Sequence, residues 1–250
     1  MGLARRGLGA EDLMRMAAFS CLYGLARAMP IFPIIGIQGG SFSAADALAP
    51  ALGLAFGPLR AAIAILIGTF LGISLTGRTI FFGLDFLPAT SCAALIGLVA
   101  KGRRSIGLSL LLALTIAFAL SPYSLPFISI APLGFGIPWF WLHLIALALL
   151  ASPAAKLLAA WATEGLTHKR LLGAGALALC GTLAQHLTGC LLFELFYGLL
   201  LGVPPESFKR IWAPIFWIYP AERALIAAGS ALAIAAVSSA LRAFGKARAH

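Results

Sequence analysis

Residues 40–72 read GSFSAADALAPALGLAFGPLRAAIAILIGTFLG, and this stretch decides how the chain folds. The apolar run that it begins extends from about residue 46 to about residue 75. One membrane-spanning helix needs only about 20 residues, so the run is too long for a single span. Gly57-Pro58 lies within it, and such a pair ends or bends a helix because proline lacks the N–H and crowds the preceding turn. The sequence therefore predicts one short helix over 45–56 and a second over 58–75.

The composition of the whole chain supports a membrane protein. The 250 residues are 61% hydrophobic and 10% charged, and the mean hydropathy is +1.00. A soluble globular domain carries roughly 25% charged residues, so too few are present to cover a water-exposed surface. Barrel strands alternate apolar and polar residues, whereas these runs are continuously apolar. We therefore expect an all-α, polytopic membrane helical bundle that forms a single integral domain over 1–250.

The apolar runs predict about six to eight transmembrane helices. The predicted spans are 14–37, 45–56, 58–75, 86–100, 105–121, 138–152, 171–202 and 214–243. Residues 14–152 would form a six-helix core, 153–170 a cytoplasmic amphipathic segment, and 171–243 two further spans. Eight spans place the basic loop 101–104 inside, as the positive-inside rule favours. Both termini would then be cytoplasmic, and the protein would lie in the plasma membrane.

Several glycines and prolines in this core resemble a known family. Pro50, Gly53, the Gly57-Pro58 pair, Gly68 and Gly72 follow a small polar outer loop. The later pieces of the pattern are Phe86-Leu87-Pro88 and the basic loop from Lys101 to Arg104. Together they resemble the S components of energy-coupling factor (ECF) vitamin transporters over about residues 12–152. The two spans after residue 170 depart from the six that the family typically has.

The resemblance implies a function and partners. An S component captures a small water-soluble nutrient in an outward-facing intramembrane cavity and works with a transmembrane coupling subunit and two ATPase subunits. The chain has no ATP-binding motif, so energy would come from those partners. We expect no cofactor, no metal and no nucleic-acid partner, because metal-ligand motifs and long basic runs are missing from the sequence.

Small residues on the first span form one helix face. Ser20, Gly24 and Ala28 recur every four residues and therefore share a side of the helix. By the resemblance, this face would pack against the coupling subunit. The alternative is ordinary packing inside the chain, which is common for small residues in membrane helices.

Polar side chains inside the spans indicate a binding site. Burying an ionisable group in a membrane costs several kcal/mol unless it is paired or hydrated. On the predicted topology these groups converge on the outer half of the bilayer. The candidate substrate-binding residues are Arg27, Asp85, Trp139, His143, His186, Glu194, Glu222 and Arg223. Arg27 or Arg223 would bind an anionic or carbonyl group, the glutamates would accept hydrogen bonds, and Trp139 would stack on a flat ring.

Other interpretations of these residues remain open. Glu194 and Arg223 could pair structurally, and Trp139 could belong to the interfacial aromatic belt. Thr182, His186, Cys190 and Glu194 recur every four residues. His186 and Glu194 lie about 12 Å apart along the helix, which is too far for both to bind one metal ion. Asp46 is expected to cap the helix over 45–56.

Two further functions compete with capture of a nutrient. One is an intramembrane enzyme acting on a lipid or isoprenoid, with His186, Glu194 and Glu222 as acid–base groups and Arg223 binding an anion. The other is an assembly protein without a small ligand. The sequence does not identify the nutrient.

Overall fold

The computed structural model describes residues 9–35, 40–130, 134–164 and 167–246, and in these ranges the chain forms an all-α helical bundle as predicted. The helices are α1 (Ala10–Arg27), α2 (Ala45–Phe56), α3 (Pro58–Thr76), α4 (Leu87–Ala100), α5 (Arg104–Leu120), α6 (Trp141–Ala151), α7 (Ala154–Glu164), α8 (Thr167–Phe193, continued as a π-helix over Glu194–Leu200) and α9 (Pro205–Lys246). Two small antiparallel hairpins pair β1 (Pro30–Pro33) with β2 (Ser41–Ser43), and β3 (Phe127–Ile130) with β4 (Phe135–Pro138).

The helices have the length and surface of a membrane protein. Three are long and apolar enough to cross a bilayer, namely Pro58–Thr76, Thr167–Leu200 and Pro205–Ser239. The pair α6 and α7, bent by 85°, would together make a fourth, and α2, α4 and α5 are shorter apolar helices. Large apolar side chains such as Leu120 and Leu225 are exposed on the outside of the bundle. The chain is therefore a membrane protein, while the number of spans stays a prediction.

The break between the helices predicted over 45–56 and 58–75 lies where the sequence predicts it. Helix α2 ends at Phe56 and α3 begins at Pro58. Gly57 between them has φ +78°, a conformation that side chains rarely adopt. A Cβ on Gly97 of α4 would lie 2.6 Å from Pro58 N, so α4 passes directly against the break. The turn is thus held by a close approach of two backbones.

Two predicted boundaries are wrong. Helix α1 ends at Arg27 rather than 37, because Pro30 and Pro33 disfavour helix at and before their positions and the chain turns into β1. Helix α9 begins at Pro205 rather than 214, because proline is well tolerated in a first turn. The predicted segment 153–170 contains all of α7 and the first residues of α8.

Ser20 and Gly24 pack inside the chain. A Cβ on Gly24 would lie 3.0 Å from Gly68 O of α3, and a Cβ on Gly68 would lie 2.6 Å from Ser20 O. Ser20 is buried, whereas Ala28 follows the last residue of α1 and is half-buried. For Ser20 and Gly24 this is the alternative of packing inside the chain, because α3 occupies their part of the face.

Candidate ligand-binding cavity

A cavity of about 120 Å³ opens at one end of the bundle. There α1 and α3 end, α2 and α4 begin, and α8 and α9 form the long walls. The β1–β2 hairpin and the loop 77–86 contribute to the rim. On the predicted orientation this is the outer end. The polar side chains of the lining include Tyr23, Arg27, Ser41, Ser43, Asp46, Asp85, Gln185, His186, Cys190, Glu222 and Arg223.

Arg27 and Asp85 form an ion pair on this lining. Arg27 Nη2 donates to Asp85 Oδ1 at 2.9 Å, and the Asp85 side chain is 1% exposed. Asp85 also accepts hydrogen bonds from the Thr79 hydroxyl (2.6 Å) and from the backbone N–H of Ile80 (2.8 Å). Burial would raise the pKa of the Asp85 carboxyl, but these hydrogen bonds and the charge of Arg27 outweigh it and hold the pKa below its usual value. The pair is therefore a charged part of the rim in which both carboxylate oxygens of Asp85 accept hydrogen bonds.

Asp46 joins two helices from the first turn of α2. The N-cap position of α2 is Ala44, without a side-chain cap, so Asp46 is not the N-cap residue but the acidic residue of the first turn. Its carboxylate accepts the Ser43 N–H at 2.7 Å and a hydrogen bond from Gln185 Nε2. Asp46, two residues beyond the N-cap, thereby ties α2 to Gln185 of α8 at the cavity.

Arg223 is the most unusual group of the site. Its side chain is 0% exposed, and Cζ lies 4.6 Å from the centre of the Phe42 ring. Nη2 lies 3.7 Å from Glu222 Oε2, which is too long for a hydrogen bond. Within the described part of the chain, none of its three guanidinium nitrogens makes a hydrogen bond. Glu222 therefore offsets the charge of Arg223 as a long ion pair, but the buried N–H groups of the guanidinium lack acceptors, which is costly.

An aromatic cluster lies behind the cavity wall. His186 borders the cavity, and its ring centre is 5.4 Å from that of Trp139 and 5.6 Å from that of His143. Trp139 Nε1 donates to Trp212 O at 2.9 Å, and the Tyr219 hydroxyl donates to Trp139 O at 3.1 Å. Trp139 and His143 are 0% exposed and are not part of the lining. The aromatic-belt interpretation of Trp139 is thus wrong, and the residue supports the wall from behind.

Glu194 lies apart from the cavity. It begins the π-helical end of α8, is 3% exposed and is not among the lining residues. Eight residues separate it from His186, and at about 100° per residue they rotate it about 80° away from that face. The alternative pairing of Glu194 with Arg223 is also wrong, because the carboxylate beside Arg223 belongs to Glu222.

A smaller recess of about 50 Å³ adjoins the cavity. Arg27 lines both spaces, and Arg78 lies on the recess alone. The other residues of the recess are Ala28, Pro30, Ser41, Ser43, Thr76 and Ile80. The described lining of the recess therefore carries two cations and no carboxylate.

The structure brings together five of the eight predicted site residues. They are Arg27, Asp85, His186, Glu222 and Arg223. The sequence reasoning missed Tyr23 and Gln185 as site residues. Gln185 had a detectable signal, because an amide inside an apolar helix needs a polar partner. Among the described residues, no group of three or more His, Cys, Asp and Glu side chains is placed to hold a metal ion.

Comparison with protein-family models, curated proteins and solved structures finds no match to this chain.

Proposed function

We propose that this membrane protein captures a small water-soluble molecule in the cavity between α1, α2, α8 and α9. The observation that carries the proposal is the charged lining itself, which includes Arg27, Asp46, Asp85, Glu222 and Arg223 in an otherwise apolar bundle. Charges inside a membrane protein are retained where they face water or a ligand. The Arg223 guanidinium, buried without a hydrogen-bonding partner, favours a bound molecule over a purely structural role.

The size of the cavity agrees with a small metabolite. One water-sized group needs about 10–15 Å³ of such space, so about 120 Å³ admits on the order of ten groups. The lining also supplies flat apolar surface from Phe42, Phe81 and Phe193. A few polar groups on an apolar wall are typical of sites for small organic molecules.

The specific function that we propose is substrate capture for an ECF-type importer of a vitamin or vitamin precursor. Its support is the Gly57-Pro58 break with the glycines around it, as in the S components that the sequence resembles. In that assembly, a transmembrane coupling subunit and two ATPase subunits would drive release. Because α3 covers Ser20 and Gly24, the coupling subunit would contact another part of the surface.

Native mass spectrometry of the full-length protein, purified in detergent after incubation with a cell extract, tests this function. We expect one water-soluble molecule per chain, and co-expression with an ECF coupling subunit and its ATPases should give a stable complex. A lipid or isoprenoid that the protein converts would instead indicate an intramembrane enzyme. A chain that retains no small molecule would contradict the capture function.

A further inference from the structure

We propose that the captured molecule is amphoteric, with an acidic group bound by Arg223 and a protonated nitrogen bound near Asp46 and Glu222. This inference rests on the proposed capture function and adds the class of substrate. It follows from the geometry of one guanidinium and from the balance of charges around it.

The guanidinium of Arg223 is positioned to bind an acid edge-on. Arg223 Cζ lies over the Phe42 ring, 4.6 Å from its centre, and a π face accepts no conventional hydrogen bond from the guanidinium. The N–H groups of a guanidinium point outward in its own plane, where a planar acid can meet two of them at once. They have no hydrogen-bonding acceptor within the described residues, although Arg223 borders the cavity. A carboxylate accepts two such N–H groups side by side, which makes it the best-matched partner.

The charges of the lining call for a cationic group as well. Two guanidiniums, on Arg27 and Arg223, face three carboxylates, on Asp46, Asp85 and Glu222, so the lining carries a net charge of −1 with His186 neutral. Arg27 and Asp85 neutralise each other at 2.9 Å. An acid alone would bring the total to −2, and a phosphate dianion would make it more negative still. A ligand that also carries a protonated nitrogen returns the total to −1.

Asp46 and Glu222 are placed to receive that nitrogen. Among the residues that the structure describes, Asp46 accepts hydrogen bonds only from the neutral donors Ser43 and Gln185, so in this part of the chain its charge has no cationic partner at hydrogen-bonding distance. Glu222 stays 3.7 Å from Arg223 and lines the same cavity. The two carboxylates and the guanidinium thus offer both signs of charge within a space for about ten groups.

The recess beside the cavity favours entry of the acidic end. Arg27 and Arg78 are its charged groups, and since Asp85 neutralises Arg27, Arg78 supplies the net positive charge of the recess. A cation along an approach path raises the local concentration of an anion. The acidic group would then pass Arg78 before it reaches Arg223.

The test uses four variants of the full-length protein. Arg223→Met and Asp46→Asn remove one charge each, and Arg210→Met and Glu206→Gln are matched controls at exposed positions of α9. Each protein is purified in detergent and incubated with the low-molecular-mass fraction of a cell extract, and the retained molecules are identified and quantified by mass spectrometry. The melting temperature of each empty variant checks that it is folded, and Arg223→Gln, which removes the same charge, replaces Arg223→Met if the latter is not.

We expect the wild type and both controls to retain a molecule with an acidic and a basic group. Arg223→Met and Asp46→Asn should each retain at least about tenfold less of it, because each variant loses a hydrogen bond between charged groups. A retained molecule without an acidic or a basic group, or equal retention by Arg223→Met, would overturn this inference and leave capture intact. A wild type that retains no water-soluble molecule would overturn the capture function itself.

Discussion

Replacing Gly53 with alanine should push apart the two helices that position one wall of the cavity. Gly53 lies on α2, whose first turn carries Asp46. A Cβ at this position would lie 2.8 Å from Ala93 Cα and 3.0 Å from Ala93 C on α4, and closer still to Ala93 O. Ordinary contacts of this kind begin near 3.4 Å. Because the obstacle is backbone, α2 and α4 themselves must move.

Two effects of opposite sign set the magnitude. Alanine gains up to about 1 kcal/mol over glycine inside a helix. Forcing an extra methyl group into a packed interior costs about 1–3 kcal/mol and occasionally more. Since the clash is with backbone atoms on one of the closest approaches in the bundle, we expect the upper end of that cost. The net loss is then about 2 kcal/mol, or roughly 4–8 °C in melting temperature for a chain of this size.

A thermal-unfolding assay in detergent measures this loss, with Gly175→Ala as the matched control. A Cβ on Gly175 of α8 would meet Ala231 Cβ at 3.8 Å, an ordinary contact, so this control should be neutral or slightly stabilising. We also expect Gly53→Ala to weaken ligand retention, because α2 carries Asp46. Equal melting temperatures for the two variants would refute the reasoning and show that the α2–α4 contact can relax.

Three further results are expected. The pKa of Asp85 in the folded protein is lowered, so its stabilising contribution is present above the ordinary carboxyl pKa of about 3.9 and is lost as the pH falls through the folded-state pKa. Asp85→Asn breaks the pair with Arg27, so it should cost about 2 kcal/mol of unfolding free energy at neutral pH and abolish that loss in acid. If the melting temperature of the variant fell in acid as it does for the wild type, this prediction would be contradicted. Trp139→Phe removes the hydrogen bond to Trp212 O and should lower unfolding stability by about 1–2 kcal/mol, whereas an unaltered denaturation midpoint would show that the bond is not needed. Leu225→Asp places a charge at a position near the middle of α9 where the leucine side chain is 67% exposed. Inserting this charge into the bilayer should cost about 3–4 kcal/mol and reduce the fraction of protein that is inserted in the membrane. Normal insertion would indicate that water reaches this face.

Local backbone chemistry explains which parts of the fold could be predicted. The break at Gly57-Pro58 appears at the predicted residue, because a positive φ and a missing N–H act wherever the chain is placed. The end of α1 was predicted ten residues too late, because hydropathy outweighed Pro30 and Pro33 in that interpretation. Proline chemistry was therefore the better guide than apolar length at this boundary.

The site could be predicted only in part, because helical periodicity does not show which residues neighbouring helices cover. Arg27 and Asp85, both predicted, meet across 58 residues of sequence. Glu194 follows His186 in a four-residue pattern, but the accumulated rotation and the π-helical end remove it from the cavity. Trp139 looked like an interfacial residue and is instead enclosed by the aromatic cluster.

The sequence by itself determined that this is a helical membrane protein, with a break between α2 and α3 and with charged side chains inside apolar helices. These properties follow from residue solvation and backbone geometry, which act locally. Only the tertiary structure decided that Arg223 lies under Phe42 without a hydrogen-bonding acceptor, and that Asp46 joins α2 to Gln185 of α8. Those contacts depend on how closely the helices approach, and contacts between backbones at glycines such as Gly53 set that distance.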